Sequence, residues 1–208
     1  MKDRLPSPVM RTISFGEDRT LSLIEKMNIR VTTRIIRRLL PSNREIAALD
    51  LGCGFNAHYL LELYPLLASG TGVDIKVSEA LRKNPKLNFI ESTIEAALPG
   101  LPDACYDLVL CVGILEHVWD PLPMLRECRR VMRSGGVLLI IVPTWTARPI
   151  LEWLARSGWI DVTEIDDHKM YYSKRDLWPL ARHAGFLPSA IRLQYRKAGL
   201  VVVGTCRA

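Results

Sequence analysis

Two carboxylates and two glycines carry the first chemical signal. Asp50 breaks the apolar run 46–51, and Gly52 and Gly54 follow at once, ahead of a helical pattern. Such a run reads as a buried strand turning sharply into a helix. Glycine has no Cβ, so Gly52 and Gly54 let the backbone turn tightly and come close to a ligand, while the next helix offers unpaired N–H groups. Cys53 lies between them. An unpartnered carboxylate among apolar residues is costly, so Asp50 is expected to accept from a bound cation or from the amides of the turn. Asp74 ends a second short strand, 70–74. A carboxylate there suits the two hydroxyls of a ribose, and Ile75 offers an apolar face to a purine. Its competing role is a cap for the helical-looking stretch 76–83.

Two histidines are the candidate proton-handling groups. His168 follows Asp166 and Asp167. A neighbouring carboxylate fixes an imidazole tautomer, and a pKa of about 6.5 suits proton removal at neutral pH. His168 is therefore read as a base or acceptor-orienting group, with a structural pin as the alternative. His117 sits in the loop 112–117 after a buried strand and is read as a base or as a wall of the cofactor pocket.

The string Asp50-x-Gly52-x-Gly54 resembles the first motif of class I S-adenosylmethionine-dependent methyltransferases. Gly72-Val73-Asp74, Tyr106-Asp107-Leu108-Val109, Leu115-Glu116-His117-Val118, Arg133-Ser134-Gly135-Gly136 and Ala184-Gly185-Phe186 follow in that family's order and approximate spacing. The resemblance implies a seven-stranded sheet ordered 3-2-1-4-5-7-6, the seventh strand antiparallel. It also implies S-adenosylmethionine as cofactor, with Thr93 and Ile94 at its adenine edge and Cys111, Val112 and Glu116 beside its methyl group. The chain departs from the family in having Asn56 where a third glycine is usual. Asn tolerates left-handed backbone, so the turn is expected to survive there. Two rival readings stand beside it. Gly52-x-Gly54-x-x-Ala57 with an acid about 20 residues on also fits a dinucleotide fingerprint and an NAD(P)-dependent oxidoreductase, although Asp50 and the later motifs are not part of that pattern. A methyltransferase-like binding protein without turnover is the other, with Asn56 its main support.

The elements that must position these residues alternate between strand and helix, which indicates a doubly wound α/β fold. A basic arm and helix is expected over 1–44, the helix over 21–40 with Arg30, Arg34, Arg37 and Arg38 in one stripe. The methyltransferase domain follows over 45–208. Within it, helices are expected at 57–67, 121–133 and 174–183, the middle one closed by Ser134-Gly135-Gly136. The unalternating run 137–142 reads as a strand buried on both faces, and a hairpin closes the chain at 188–196 and 200–207. The stretch 143–172, with Trp145, Trp153 and Trp159 and a short helix at 150–157, reads as an aromatic cap over the substrate.

Charge narrows the partners. Of the net +6, all falls in residues 1–44, which hold ten Lys or Arg against Asp3, Glu17, Asp18 and Glu25. No aromatic residues interleave with these arginines, so a solvated or substrate-side face is favoured over nucleic-acid binding. The expected partner is a small-molecule or glycan acceptor, with a homodimer left open. Five scattered cysteines show no metal spacing, so no structural metal is expected. The longest wholly aliphatic run, 137–142, is far short of the roughly 20 residues that span a bilayer, and a cytoplasmic location is expected.

Overall fold

The computed structural model describes residues 13–18, 20–40, 43–157, 159, 167–196, 199 and 201–208. The expectations for 1–12 and for Asp166 lie outside these residues. The described elements are α1 (Leu23–Leu39), β1 (Ile46–Leu51), α2 (His58–Leu63), β2 (Leu67–Asp74), β3 (Leu87–Glu91), α3 (Ile94–Ala97), β4 (Tyr106–Val112), α4 (Pro121–Val131), β5 (Met132–Pro143), α5 (Arg148–Arg156), α6 (Lys174–His183), β6 (Ile191–Arg196) and β7 (Val201–Arg207). Single helical turns lie at Glu79–Lys83 and Leu115–His117. The strands form one sheet in the order β3-β2-β1-β4-β5-β7-β6. Strands β1 to β5 run parallel, and β7 is antiparallel to both β5 and β6.

Strand β1 is buried throughout because each face has its own core. Ala47, Leu49 and Leu51 join one cluster with Val109, Leu138, Leu125 and Leu177, beneath α4 and α6. Ile46 and Ala48 join the other with Leu108, Leu139, Leu60 and Ile36, beneath α1 and α2. Each fully buried aliphatic side chain of this kind contributes about 1.5 to 3 kcal/mol. The same division explains why 137–142 shows no polar alternation: Leu138, Ile140 and Val142 face one cluster, Val137 and Leu139 the other.

Helix α1 starts at a capping box, in which Ser22 Oγ accepts from Glu25 N and the Glu25 carboxylate accepts from Ser22 N. Its four stripe arginines are exposed, as the periodicity predicts, but its packed face is Thr32, Thr33 and Ile36, and Val31 is exposed. Ile36 enters the core cluster beneath α1 and α2. Two other expectations change. Helix α2 is shorter than 57–67 because Pro65 lies in a following helical turn and β2 already begins at Leu67. Helix α4 ends at Val131, and the Ser134-Gly135-Gly136 stretch belongs to β5, which begins at Met132 paired with Tyr106.

At the amino edge of the sheet, Asp107 ties three segments together. Its carboxylate accepts from Ala47 N at 2.8 Å, Arg44 Nη2 at 2.8 Å and Arg133 Nη1 at 3.0 Å. Burial pushes this carboxyl up, but the Arg44 and Ala47 hydrogen bonds and the Arg133 charge outweigh it and hold the group below its ordinary value. Both arginines are half-exposed, which screens the pairs. Asp107→Ala should therefore lower stability at neutral pH by about 2 kcal/mol. For a lowered folded-state pKa, that stabilisation is present above the unfolded carboxylate's value of about 3.9. The gap in denaturation midpoint between wild type and variant should be full above that pH and close as pH falls through the folded-state pKa.

Candidate functional site

The carboxyl edge of β1, β2 and β4 carries the turn predicted at Gly52. Gly52 has φ +67° and Gly54 φ +73°, both left-handed. At Gly52 a Cβ would also stand 2.1 Å from Ile114 Cδ1, in the loop after β4, and at Gly54 it would stand 3.1 Å from Phe15 O. Left-handed geometry at Asn56 does not occur; the non-glycine residue that takes it in this turn is Ala57, φ 43°, at the start of α2. Asn56 instead donates its Nδ2 amide to Gly16 O at 3.2 Å.

That bond belongs to a strap, residues 13–18, laid over the turn. Phe55 N donates to Phe15 O, Lys76 Nζ pairs with Glu17, and buried Ser14 donates its hydroxyl to Asp74 Oδ1 at 2.7 Å. Asp74 Oδ2 accepts from Gly54 N at 2.7 Å, and Oδ1 also accepts from Ile75 N at 2.8 Å. The aspartate thus joins strap, turn and β2. Its competing role as a cap is not observed: the turn Glu79–Lys83 begins after Ser78. Nothing in the sequence pointed to Ser14, whose partner is 60 positions away.

Asp50 lies in the middle of this edge, 1% exposed, with Oδ2 lacking any hydrogen-bond partner. The amides of the turn do not satisfy it, because Gly52 N and Cys53 N both donate to Val73 O and Gly54 N donates to Asp74. Burial first, then the charge of Asp74, pushes the Asp50 carboxyl well above its ordinary value. Cys53 and Cys111 flank the same space as buried thiols, both pushed up chiefly by burial and so neutral. Further out, Thr93 caps α3 by accepting from Ala96 N at 3.3 Å, and Ile94 packs on the core.

The loop after β4 leads from this turn to the histidines. Gly113, φ +70°, lets the chain reverse into the turn Leu115–His117, which buries Glu116 at 3% exposure. Residues 167–172 lie against it. Lys169 N and Met170 N donate to Glu116 O at 2.7 and 3.2 Å, and Tyr172 Oη donates to Leu115 O at 3.3 Å. The ring centroids of His117 and His168 are 4.9 Å apart, and His168 and Tyr171 are 5.2 Å apart. His117 Nδ1 stands 3.1 Å from Asp167 Oδ2, so the carboxylate expected to orient His168 orients His117. The His168 ring is desolvated and faces His117, which lowers its pKa to about 4 and keeps it neutral at pH 7. Trp145, 53% exposed, tilts against Tyr171 at 5.5 Å, and Trp119 and Trp153 are exposed nearby in sequence. The two histidines are 51 positions apart, so their meeting was not legible from spacing.

The arrangement is a polar, anionic turn for a ligand with cationic and hydroxyl groups, next to an aromatic and imidazole face. A family model described as a methyltransferase domain matches residues 49–140. A probable S-adenosylmethionine-dependent methyltransferase of Mycobacterium tuberculosis is 29% identical over 140 residues, covering 66% of this chain and 50% of that protein. The chain thus spans about half the length of this curated relative. A methyltransferase structure from Archaeoglobus fulgidus superimposes with a TM-score of 0.64 over 88% of this chain and 97% of its own, at 18% identity. The 1,6-didemethyltoxoflavin-N1-methyltransferase of Burkholderia thailandensis, solved with that compound and S-adenosylhomocysteine bound, gives 0.62 over 88% and 79%, at 21% identity.

The geometry at Asp50 makes a two-part forecast. An acid with a raised folded-state pKa costs stability at any pH above its unfolded value, so Asp50→Asn should raise the melting temperature of the ligand-free protein at pH 7. The same change removes the carboxylate that a cationic ligand would meet, and should weaken cofactor binding by about 1.5 to 3 kcal/mol. A lower melting temperature together with unchanged binding would sink this account of Asp50. Gly52→Ala should cost about 1 to 2 kcal/mol from the left-handed backbone alone, read by denaturant titration, with the Ile114 clash adding to it.

Proposed function

We propose that this chain, which belongs to the class I S-adenosylmethionine-dependent methyltransferases, moves the sulfonium methyl of its cofactor to a small-molecule or glycan-type acceptor. The family's cofactor is S-adenosylmethionine, and the residues at the turn fit it. Asp50, with an unpartnered buried Oδ2, suits the cofactor's cationic end; the Gly52–Gly54 backbone gives close approach; and Asp74, with Ile75 beside it, suits the ribose and base. Asp50 is the observation that carries the reading, because S-adenosylmethionine brings an ammonium that can donate to its unpartnered Oδ2, whereas the cationic nicotinamide ring of a dinucleotide has no N–H to offer.

Bound S-adenosylmethionine supplies an electrophilic methyl on a positively charged sulfur. What the protein adds is placement and exclusion of water. Cys111 and Val112 end β4, and Glu116 lies in the helical turn that follows it. The acceptor is assigned to the neighbouring face of His117, His168, Tyr171 and Trp145, with residues 143–172 as its cap. His117 and His168 are the side chains that orient the acceptor atom and ease the loss of its proton. Exposed aromatic surface on this face supports an acceptor with an apolar or sugar-like face, since rings cover such groups well.

Calorimetric titration with S-adenosylmethionine, followed by a product assay with labelled cofactor, tests the reading. Asp74→Ala should weaken binding by about 1.5 to 3 kcal/mol. Because Asp74 also holds Ser14, the companion variant Ser14→Ala separates the two roles: it frees the strap yet keeps the carboxylate, and should bind far closer to wild type. Equal loss in both variants would assign the effect to the strap and refute the ribose role.

A further inference from the structure

Glu116, His117 and His168 each offer one donor atom, and these three atoms lie within 4.8 Å of one another. Two imidazoles and a carboxylate are the donor set of open, three-ligand zinc sites and of related transition-metal sites. Three features of the surroundings match what such a site needs. His168 Nδ1 is buried and has no hydrogen-bond partner, although the groups around it are polar. Asp167 holds His117 by Nδ1, the carboxylate–imidazole contact that turns Nε2 toward a metal and strengthens it as a ligand. The two segments are fixed to each other by the Lys169 and Met170 amides on Glu116 O, so the ligands are presented from a rigid frame. Lys169, the nearest cation in sequence, is ion-paired with Asp167, which offsets its charge.

We propose that Glu116, His117 and His168 bind one divalent transition-metal ion of the zinc or cobalt type, and that its open position takes the oxygen or nitrogen of the methyl acceptor. The assignment rests on the reading of this face as the acceptor side. Ligand atoms around tetrahedral zinc, at bonds of about 2.0 to 2.2 Å, stand about 3.3 to 3.6 Å apart, so small side-chain rotations close the set. For an acceptor hydroxyl, the metal–oxygen bond forms as the O–H proton leaves to water. The oxygen then forms its bond to the methyl carbon as the carbon–sulfur bond breaks, its electron pair passing to sulfur to give neutral S-adenosylhomocysteine. No oxidant or reductant is required. Cysteine and histidine spacing gave no hint of this site because its members are adjacent in one loop and 51 positions away in another.

The test reads the metal, not turnover. Tag-free protein is stripped with chelator and titrated with Co²⁺, and bound metal is followed by its visible d–d absorption and by elemental analysis. The expected result is one equivalent per chain, lost in His168→Ala at unchanged melting temperature. Asp167→Asn, which keeps all three ligands, should weaken Co²⁺ by about 10- to 100-fold. Should His168→Ala fail to fold, Asp167→Asn carries the decision. No d–d band, or Co²⁺ bound equally by wild type and both variants, overturns the site. If methyl transfer persists after stripping, the metal's hold on the acceptor is refuted while the methyltransferase reading stands; if the cofactor fails to bind, that reading fails whatever the Co²⁺ spectrum shows.

Discussion

The buried carboxylate of Asp50 sets the terms for the rest of this edge. A buried carboxyl group on the central strand, with one oxygen unsatisfied, is tolerated only where the surrounding structure is too firm to rearrange around it. That firmness comes from β1, clamped between β2 and β4 and packed on both faces. Every nearby donor is already committed elsewhere: Gly52 and Cys53 to Val73, Gly54 to Asp74. The turn is therefore held open by its own hydrogen bonds, and its electrostatic demand is left for whatever binds. The two ends of the sheet contrast in this respect. At the amino edge the Asp107 carboxylate is met by two arginines and an amide, whereas at the carboxyl edge Asp50 Oδ2 has no hydrogen-bond partner.

Much of the framework was readable from residue pattern. The run 46–51 followed by two glycines located β1 and its turn, the doubly aliphatic run 137–142 located β5, and Ser173 with Gly185 bounded α6. The strand order came from the family resemblance and holds in full. What pattern missed was set by distant partners. Helix α4 gives way to β5 at Met132 because that residue pairs with Tyr106, which no local propensity encodes. The left-handed residue is Ala57, not Asn56, since Asn56 turns its amide outward to the strap.

The site shows the same division. Asp50, the glycines and Asp74 are close in the turn and were found by motif. Ser14, and the pairing of His117 with Asp167 and His168, join positions 50 or more apart and surface only in three dimensions. Thr93, which the family resemblance places at the adenine edge, also caps α3, a local role that its hydroxyl takes by accepting from Ala96 N.

The antiparallel strand β7 has a consequence for how the chain comes to be folded. It completes the sheet by pairing with β5, but its residues arrive 58 to 70 positions later, from Pro143↔Val201 to Val137↔Arg207. Until then the most aliphatic strand of the molecule has an unpaired edge, on a chain that has already made its earlier half. Closing so distant a contact is slow relative to local structure. Until β7 docks, 137–142 presents an unpaired apolar edge of the kind that pairs with other chains.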